Sequence, residues 1–151
     1  MPGETNAINN LFGGELLARM DRAAAISAKR HSKQFVVTSS VNNVSFGMPI
    51  PLGSTVTIEA KVSRAFNSSM EVYIDVWIDD KNGEKIKANE AIYTFVAVNK
   101  NGRPIKIDKI FPETKIEIQR YDAALRRKQL SLVLAGKLSV NKATELKALF
   151  Y

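Results

Sequence analysis

Hydrophobic and polar residues alternate with two different periods along this chain, and the switches between them mark its elements. From Gly14 to about Arg30, small and apolar residues (Leu16, Leu17, Met20, Ala23, Ala24, Ala25, Ile26, Ala28) recur at helical spacing and predict one long helix, with His31 at its basic end beside Lys29 and Arg30. Gln34 to Phe46 is rich in Val, Thr, Ser and Phe and reads as a strand, although Thr38, Ser39, Asn42 and Asn43 interrupt its apolar setting. Pro49 and Pro51, between Gly47 and Gly53, end it. Thr55–Phe66 alternates with period two: Val56, Ile58, Ala60 and Val62 share one face, while Thr55, Thr57, Glu59, Lys61 and Ser63 share the other. Met70–Asp79 repeats the pattern, with Met70, Val72, Ile74, Val76 and Ile78 on one side. Asn82-Gly83 predicts a tight hairpin built on positive φ angles, and Lys85–Val98 follows as a third long strand.

Long strands joined by short turns form an antiparallel meander. An amphipathic sheet needs one covering element, and the first helix is the only one available before residue 110. The expected α+β architecture is therefore a curved antiparallel sheet wrapped around one central helix. Pro112 opens a second helical stretch. Placed at the first helical position, it is followed by Glu113 and Glu117 early and by Arg126, Arg127 and Lys128 late, up to a stop at Gly136. A shorter helix is expected over about 141–150. Both would pack on a partner subunit or on the sheet edge.

Composition narrows the chemistry. The chain has 151 residues, no cysteine, one histidine and a formal net charge of +7. Thiol nucleophiles, disulfides and thiolate metal sites are excluded, and one His leaves no plausible zinc site. There is no apolar run long enough to span a bilayer and no secretory signal, so a cytoplasmic location is the expectation. No G-x-S-x-G, Walker A or G-x-G-x-x-G motif occurs. The basic surface suits an anionic partner, whether nucleic acid, membrane or a phosphorylated small molecule. Arg126-Arg127-Lys128 could be a DNA-binding helix, but no helix-turn-helix spacing accompanies it.

Any catalysis must then use a carboxylate, amides, hydroxyls and backbone groups, and attention falls on Thr5–Asp21. Asp21 lies two turns into a run of small apolar residues, where it is either a solvent-facing residue flanked by Arg19 and Arg22 or a functional carboxylate. Gly13-Gly14 opens the helix, whose free N–H groups attract negative charge. The seven residues from Gly14 to Asp21 return to the same face within ~20°, but about 10 Å along the axis. A carbonyl oxygen at the helix end and a water on Asp21 would be too far apart to meet at one carbon. Two antiparallel copies would bring Asp21 of one beside the Gly-Gly end of the other.

Thr5-Asn6, Leu11-Phe12-Gly13-Gly14, Leu16-Leu17 and Met20-Asp21 resemble the signature of the hotdog-fold acyl-coenzyme A thioesterases, the acyl-CoA hydrolase branch of bacteria and animal cytosol. The resemblance continues through Val36-Val37-Thr38, Phe46-x-x-Pro49 with Gly53, Ser68-Ser69 and Tyr93–Val98, and covers about residues 2–105. It implies a hotdog domain over 1–111, with 112–151 as a C-terminal helical extension. It implies Asp21 as the catalytic carboxylate, Asn6 working with it from the neighbouring protomer, Thr38 supporting the carboxylate, and the Gly13-Gly14 helix end holding the thioester oxygen. Ser68 and Ser69 are expected near coenzyme A, and Arg64 is added to them by its charge. The implied substrate is acyl-CoA, with no metal and no separate cofactor. The implied assembly is a homo-oligomer, with a dimer as the minimal active unit and a hexamer, a trimer of dimers, as the full form. The family's strand ahead of Thr5-Asn6 is absent or lies upstream of Met1, which would weaken a sheet edge. The rival readings are a hotdog hydratase or dehydratase, which would need a well-placed His, and a non-catalytic binder of acyl-CoA or nucleic acid.

Overall fold

The computed structural model describes residues 13–45 and 47–149. Helix α1 (Gly13–Ser32) is followed by four strands, β1 (Phe35–Ser45), β2 (Val56–Ala65), β3 (Ser69–Asp79) and β4 (Lys85–Val98), and by helix α2 (Lys115–Leu134). A 3₁₀ turn at Val140–Lys142 and one helical turn, α3 (Thr144–Lys147), end the described chain. The sheet is wholly antiparallel, in the order β1-β4-β3-β2. This is the hotdog arrangement, with α1 lying along one face of the sheet.

The apolar faces read from the sequence meet there. Leu16, Met20, Ala24 and Ala28, four residues apart, form the buried stripe of α1. They pack on Met70, Val72, Ile74 and Val76 of β3 and on Ala91, Tyr93, Phe95 and Ala97 of β4, all nearly or fully buried. Alanine at two of the four helical positions lets the sheet approach closely, so the helix can be embraced rather than merely touched.

The polar interruptions of β1 have a physical cause. Pairing with β4 slips between Thr38 and Ser40, and again between Asn42 and Ser45. Each bulge changes which residues face α1. Thr38 stands opposite Phe95, and after the first bulge Val41 stands opposite Tyr93. Asn43 has φ 53°, the left-handed conformation that a short amide side chain tolerates best after glycine. A strict period of two therefore cannot describe this strand.

Two local expectations are corrected. The β3–β4 turn carries a positive φ only at Gly83 (78°), not at Asn82. The Asp80 carboxylate instead accepts the N–H groups of Asn82 (2.8 Å) and Glu84 (2.9 Å), which closes a wider loop with Gly83 alone in the left-handed region. Pro112 does not start α2. Thr114 does, because its hydroxyl accepts the Glu117 N–H at 3.2 Å while the Glu117 carboxylate accepts the Thr114 N–H at 3.1 Å. The stop at Gly136 holds: Gly136 (φ 72°) donates to Val133 O at 3.0 Å and Lys137 donates to Leu132 O at 2.8 Å.

α2 lies across the outer face of the β2–β3 half of the sheet. Arg120 holds Asp75 through two hydrogen bonds (2.9 and 3.1 Å), and Arg127 holds Glu71 through two more (2.9 and 2.7 Å). This second cover explains why Glu71, Asp75 and Ser63, which alternate with the apolar face, are buried all the same. Among the described residues no helix is long and apolar enough to cross a membrane.

Candidate active site

α1 carries Asp21 on the side that faces β1. There the Thr38 hydroxyl donates to Asp21 Oδ1 at 2.8 Å. The first bulge of β1 directly follows Thr38, so Thr38 is the last residue of that strand before the facing pattern changes. Hydrogen bonding from Thr38 occupies one carboxylate oxygen and fixes the rotamer. Among the described residues Oδ2 has no protein hydrogen-bond partner and is available to a water or an acyl carbon. Asp21 is half-buried and Thr38 exposed, so the pair is open to solvent in the single chain.

Beneath the pair lies Tyr93 of β4, 1 % exposed, its ring stacked on that of Phe95 with centroids 6.3 Å apart. Its hydroxyl donates to the Leu17 carbonyl at 2.9 Å, one helical turn before Asp21. Burial, and then the negative charge of Asp21, push the Tyr93 phenol up to about 12. Tyr93 therefore stays a neutral donor at any working pH.

Gly13 and Gly14 form the first turn of α1, two turns from Asp21. Among the described residues, a Cβ at Gly14 would meet nothing within 4 Å. Asn6 lies outside the described residues.

The expected coenzyme A residues sit elsewhere. Arg64, on β2, is turned to α2: its Nη1 donates to the Tyr121 carbonyl at 3.1 Å and its guanidinium lies 3.9 Å from the Tyr121 ring. Ser69 is buried, its hydroxyl 3.4 Å from the Lys128 ammonium. Ser68 uses its carbonyl to hold the Ala97 N–H at 2.8 Å. Among the described residues no hydrogen bond or ion pair joins these three to Asp21 or Thr38. His31 bonds the Asp108 carbonyl through Nε2 at 2.7 Å, away from Asp21. A surface cleft of about 350 Å³ between the end of α1, β2 and residues 110–120 is lined by Arg30, Lys61 and Phe111 among others, and includes neither Asp21 nor Thr38. Among the described residues no group of three or more His, Asp or Glu could hold a metal ion.

Tyr93 is the residue of the site that sequence reasoning passed over as part of a strand motif. The available signal was a tyrosine on the inward face of a central strand, where its hydroxyl must find a partner.

The chain as a whole resembles known proteins. Residues 8–85 match the model of the thioesterase superfamily. An uncharacterized acyl-CoA thioester hydrolase of Bacillus subtilis, YkhA, is 37 % identical over 149 residues, 93 % of this chain and 87 % of that protein. The solved acyl-CoA hydrolase of Staphylococcus aureus, in complex with butyryl coenzyme A, coenzyme A and coenzyme A disulfide, superposes with a TM-score of 0.82 at 36 % identity, covering 98 % of this chain and 90 % of that one. Its solved forms include variants with one aspartate, one threonine or one asparagine replaced by alanine. A hexameric acyl-CoA thioesterase superposes with a TM-score of 0.84 at 33 % identity, covering 89 % of this chain and 87 % of that one. The chain belongs to the thioesterase superfamily, and within it to the acyl-CoA thioester hydrolases of the hotdog fold.

Proposed function

We propose that this protein hydrolyses acyl-CoA thioesters to the free carboxylic acid and coenzyme A, with Asp21 as the catalytic carboxylate. The observation that carries the proposal is the 2.8 Å bond from Thr38 to Asp21, which orients a carboxylate on the central helix with one oxygen unoccupied by described protein groups. The asparagine, aspartate and threonine replaced in the S. aureus hydrolase follow one another at the same intervals as Asn6, Asp21 and Thr38, which supports giving these three a shared task.

As general base, Asp21 takes a proton from water while the water oxygen attacks the thioester carbon. The carbonyl oxygen becomes an oxyanion held by N–H groups at the Gly13-Gly14 helix end. The tetrahedral intermediate collapses, the C–S bond breaks, and the thiolate of coenzyme A takes up a proton. Alternatively Asp21 attacks the carbon itself and the resulting anhydride is hydrolysed. Asn6 positions the water or the carbonyl. Ser68, Ser69 and Arg64 lie on the coenzyme A side, Ser68 and Arg64 with partly exposed edges and Ser69 buried behind them, and the basic surface attracts the phosphates of coenzyme A.

The two catalytic tools are about 10 Å apart on one helix, so this reading requires a second copy. Among the described residues β1 is an edge strand, beside Asp21 and Thr38, and Phe35, Val37 and Val41 on it are exposed, which supports closure by a partner there. A dimer is the minimal unit, and a hexamer, a trimer of dimers, is the proposed full assembly, in line with hexameric relatives. Residues 112–151 form an extension of the hotdog domain, and the location is cytoplasmic.

The test is release of free thiol from acyl-CoA substrates across chain lengths, with wild type and Asp21→Ala. Turnover is expected to fall by about 10²–10⁴-fold in the variant while fold and assembly are kept. Near-wild-type turnover removes Asp21 from the mechanism, binding without turnover in wild type makes the protein a binder, and a fully active monomer overturns the shared site.

A further inference from the structure

Asp21 is held from two directions, and only one belongs to the expected machinery. Thr38 grips its carboxylate from β1. The helical turn beneath is gripped from β4: the Tyr93 hydroxyl donates to the Leu17 carbonyl at 2.9 Å. In α-helical geometry that carbonyl also accepts the N–H of Asp21 itself. The phenol therefore bonds the acceptor to which the Asp21 backbone is tied. We propose that Tyr93 is a positioning residue for the proposed thioester hydrolysis, fixing the rotation of α1 about its axis so that Asp21 meets Thr38 and the reacting carbon.

Three observations favour this over a filler role. The ring is among the most buried side chains of the protein, at 1 % exposure, and is stacked on Phe95, whose backbone is the direct neighbour of Thr38 across the β1–β4 ladder. One aromatic pair thus lies under both halves of the Asp21–Thr38 contact. Apolar packing does not fix rotation well here: the α1 stripe is one methionine, one leucine and two alanines, and small side chains slide. A hydrogen bond is directional where that packing is not. Finally, the phenol is neutral throughout the useful pH range, so it acts through geometry and not by trading a proton with Asp21.

The inference rests on the hydrolase reading, and the experiment separates the two. Tyr93→Phe removes one oxygen and keeps the ring. In thiol-release assays on the assembled protein, kcat is expected to fall about tenfold with KM within about twofold, since the substrate contacts are untouched. In an Asp21→Ala background the same change is expected to leave the residual rate unaltered, because the residue it positions is gone. A kcat within twofold of wild type, or an equal loss in the Asp21→Ala background, overturns the positioning role. If the wild type releases no thiol from any acyl-CoA, the hydrolase reading fails, and hydrogen exchange then decides the placement by itself. Tyr93→Phe should speed exchange at the Asp21 amide about tenfold while leaving α2 unchanged, and unchanged exchange at Asp21 overturns it.

Discussion

The inner and outer faces of the sheet are each covered by a helix of 20 residues, and the two are held by opposite means. α1 presents Leu16, Met20, Ala24 and Ala28 to a dry apolar face, with Asp21 at its margin. α2 buries only Ala124 completely and docks through Arg120 and Arg127, each bidentate to a buried carboxylate of β3. The difference separates tasks. The apolar contact is non-directional and supplies most of the stability, while the ionic contact is directional, sets where α2 lies along the strand, and adds little net energy relative to apolar isosteres. Two stacked pairs extend the second mode: the Arg64 guanidinium lies 3.9 Å from the Tyr121 ring, and the Arg120 guanidinium lies 3.8 Å from the Tyr73 ring.

The sharpest break of this comparison comes from the inner face. Met20→Ala removes a fully buried side chain at the centre of the α1 stripe, where a helix already rich in alanine cannot collapse further. A loss of about 2–5 kcal/mol in unfolding free energy is expected, read by denaturant titration at unchanged slope. On the outer face, Arg127→Ala leaves the buried Glu71 carboxylate with the Ser63 hydroxyl (2.7 Å) as its remaining partner. The expected cost is about 2–3 kcal/mol, below the range for a fully buried pair because Arg127 itself reaches water. Replacing both partners, Glu71→Leu with Arg127→Leu, is expected to restore most of that loss. If the double variant is no more stable than Arg127→Ala, the outer contact owes its energy to the ions after all, and the contrast between the faces is lost.

This contrast also explains which parts of the molecule were legible in the sequence. The inner face was: Met70, Val72, Ile74, Val76 and Ile78 alternate without a break, and Leu16 to Ala28 keep helical spacing, so the sheet and its central helix follow from period alone. The outer face was not, because its docking residues look like solvent-facing ones. Glu71 and Asp75 are two pleats apart, roughly 13 Å along a strand, and Arg120 and Arg127 are roughly 10 Å apart along a helix. That match is visible only once the two elements are known to lie together. The candidate site divides the same way. Asp21 and Thr38 were brought together by a resemblance to a family and meet at 2.8 Å. Tyr93 was hidden because an inward tyrosine and an inward phenylalanine have the same hydrophobic pattern, and only its hydroxyl tells them apart. Arg64 was set beside a ligand by its charge alone, and its contact with the Tyr121 carbonyl and ring could not be read from that charge.

The smallest expected effect sits at the start of α2, where the ionic cover is joined to the rest of the chain. The Glu117 carboxyl is held below the usual carboxylate range, first by the hydrogen bond it accepts from the Thr114 backbone, with further help from the Glu113 N–H, the Thr114 hydroxyl and the charge of Lys61. A group whose folded value is depressed contributes stability above its unfolded value, near 4.3 for Glu, and loses it as pH falls through the lower folded value. The first turn of α2 should therefore open as pH is lowered below the ordinary glutamate range, seen as faster hydrogen exchange in residues 115–118. The apolar stripe of α1, Leu16, Met20, Ala24 and Ala28, carries no titrating group and should show no matching change. Glu117→Gln keeps an acceptor but cannot titrate, so it should remove the acid dependence. Thr114→Ala removes the hydroxyl half of the box and should cost about 1 kcal/mol at neutral pH. If acid opens the first turn equally in Glu117→Gln, the capping carboxylate is not what fastens the outer helix. The ion pairs further along α2 would then have to hold its whole length, and the division between a directional outer contact and a non-directional inner one would rest on Asp75 and Glu71 alone.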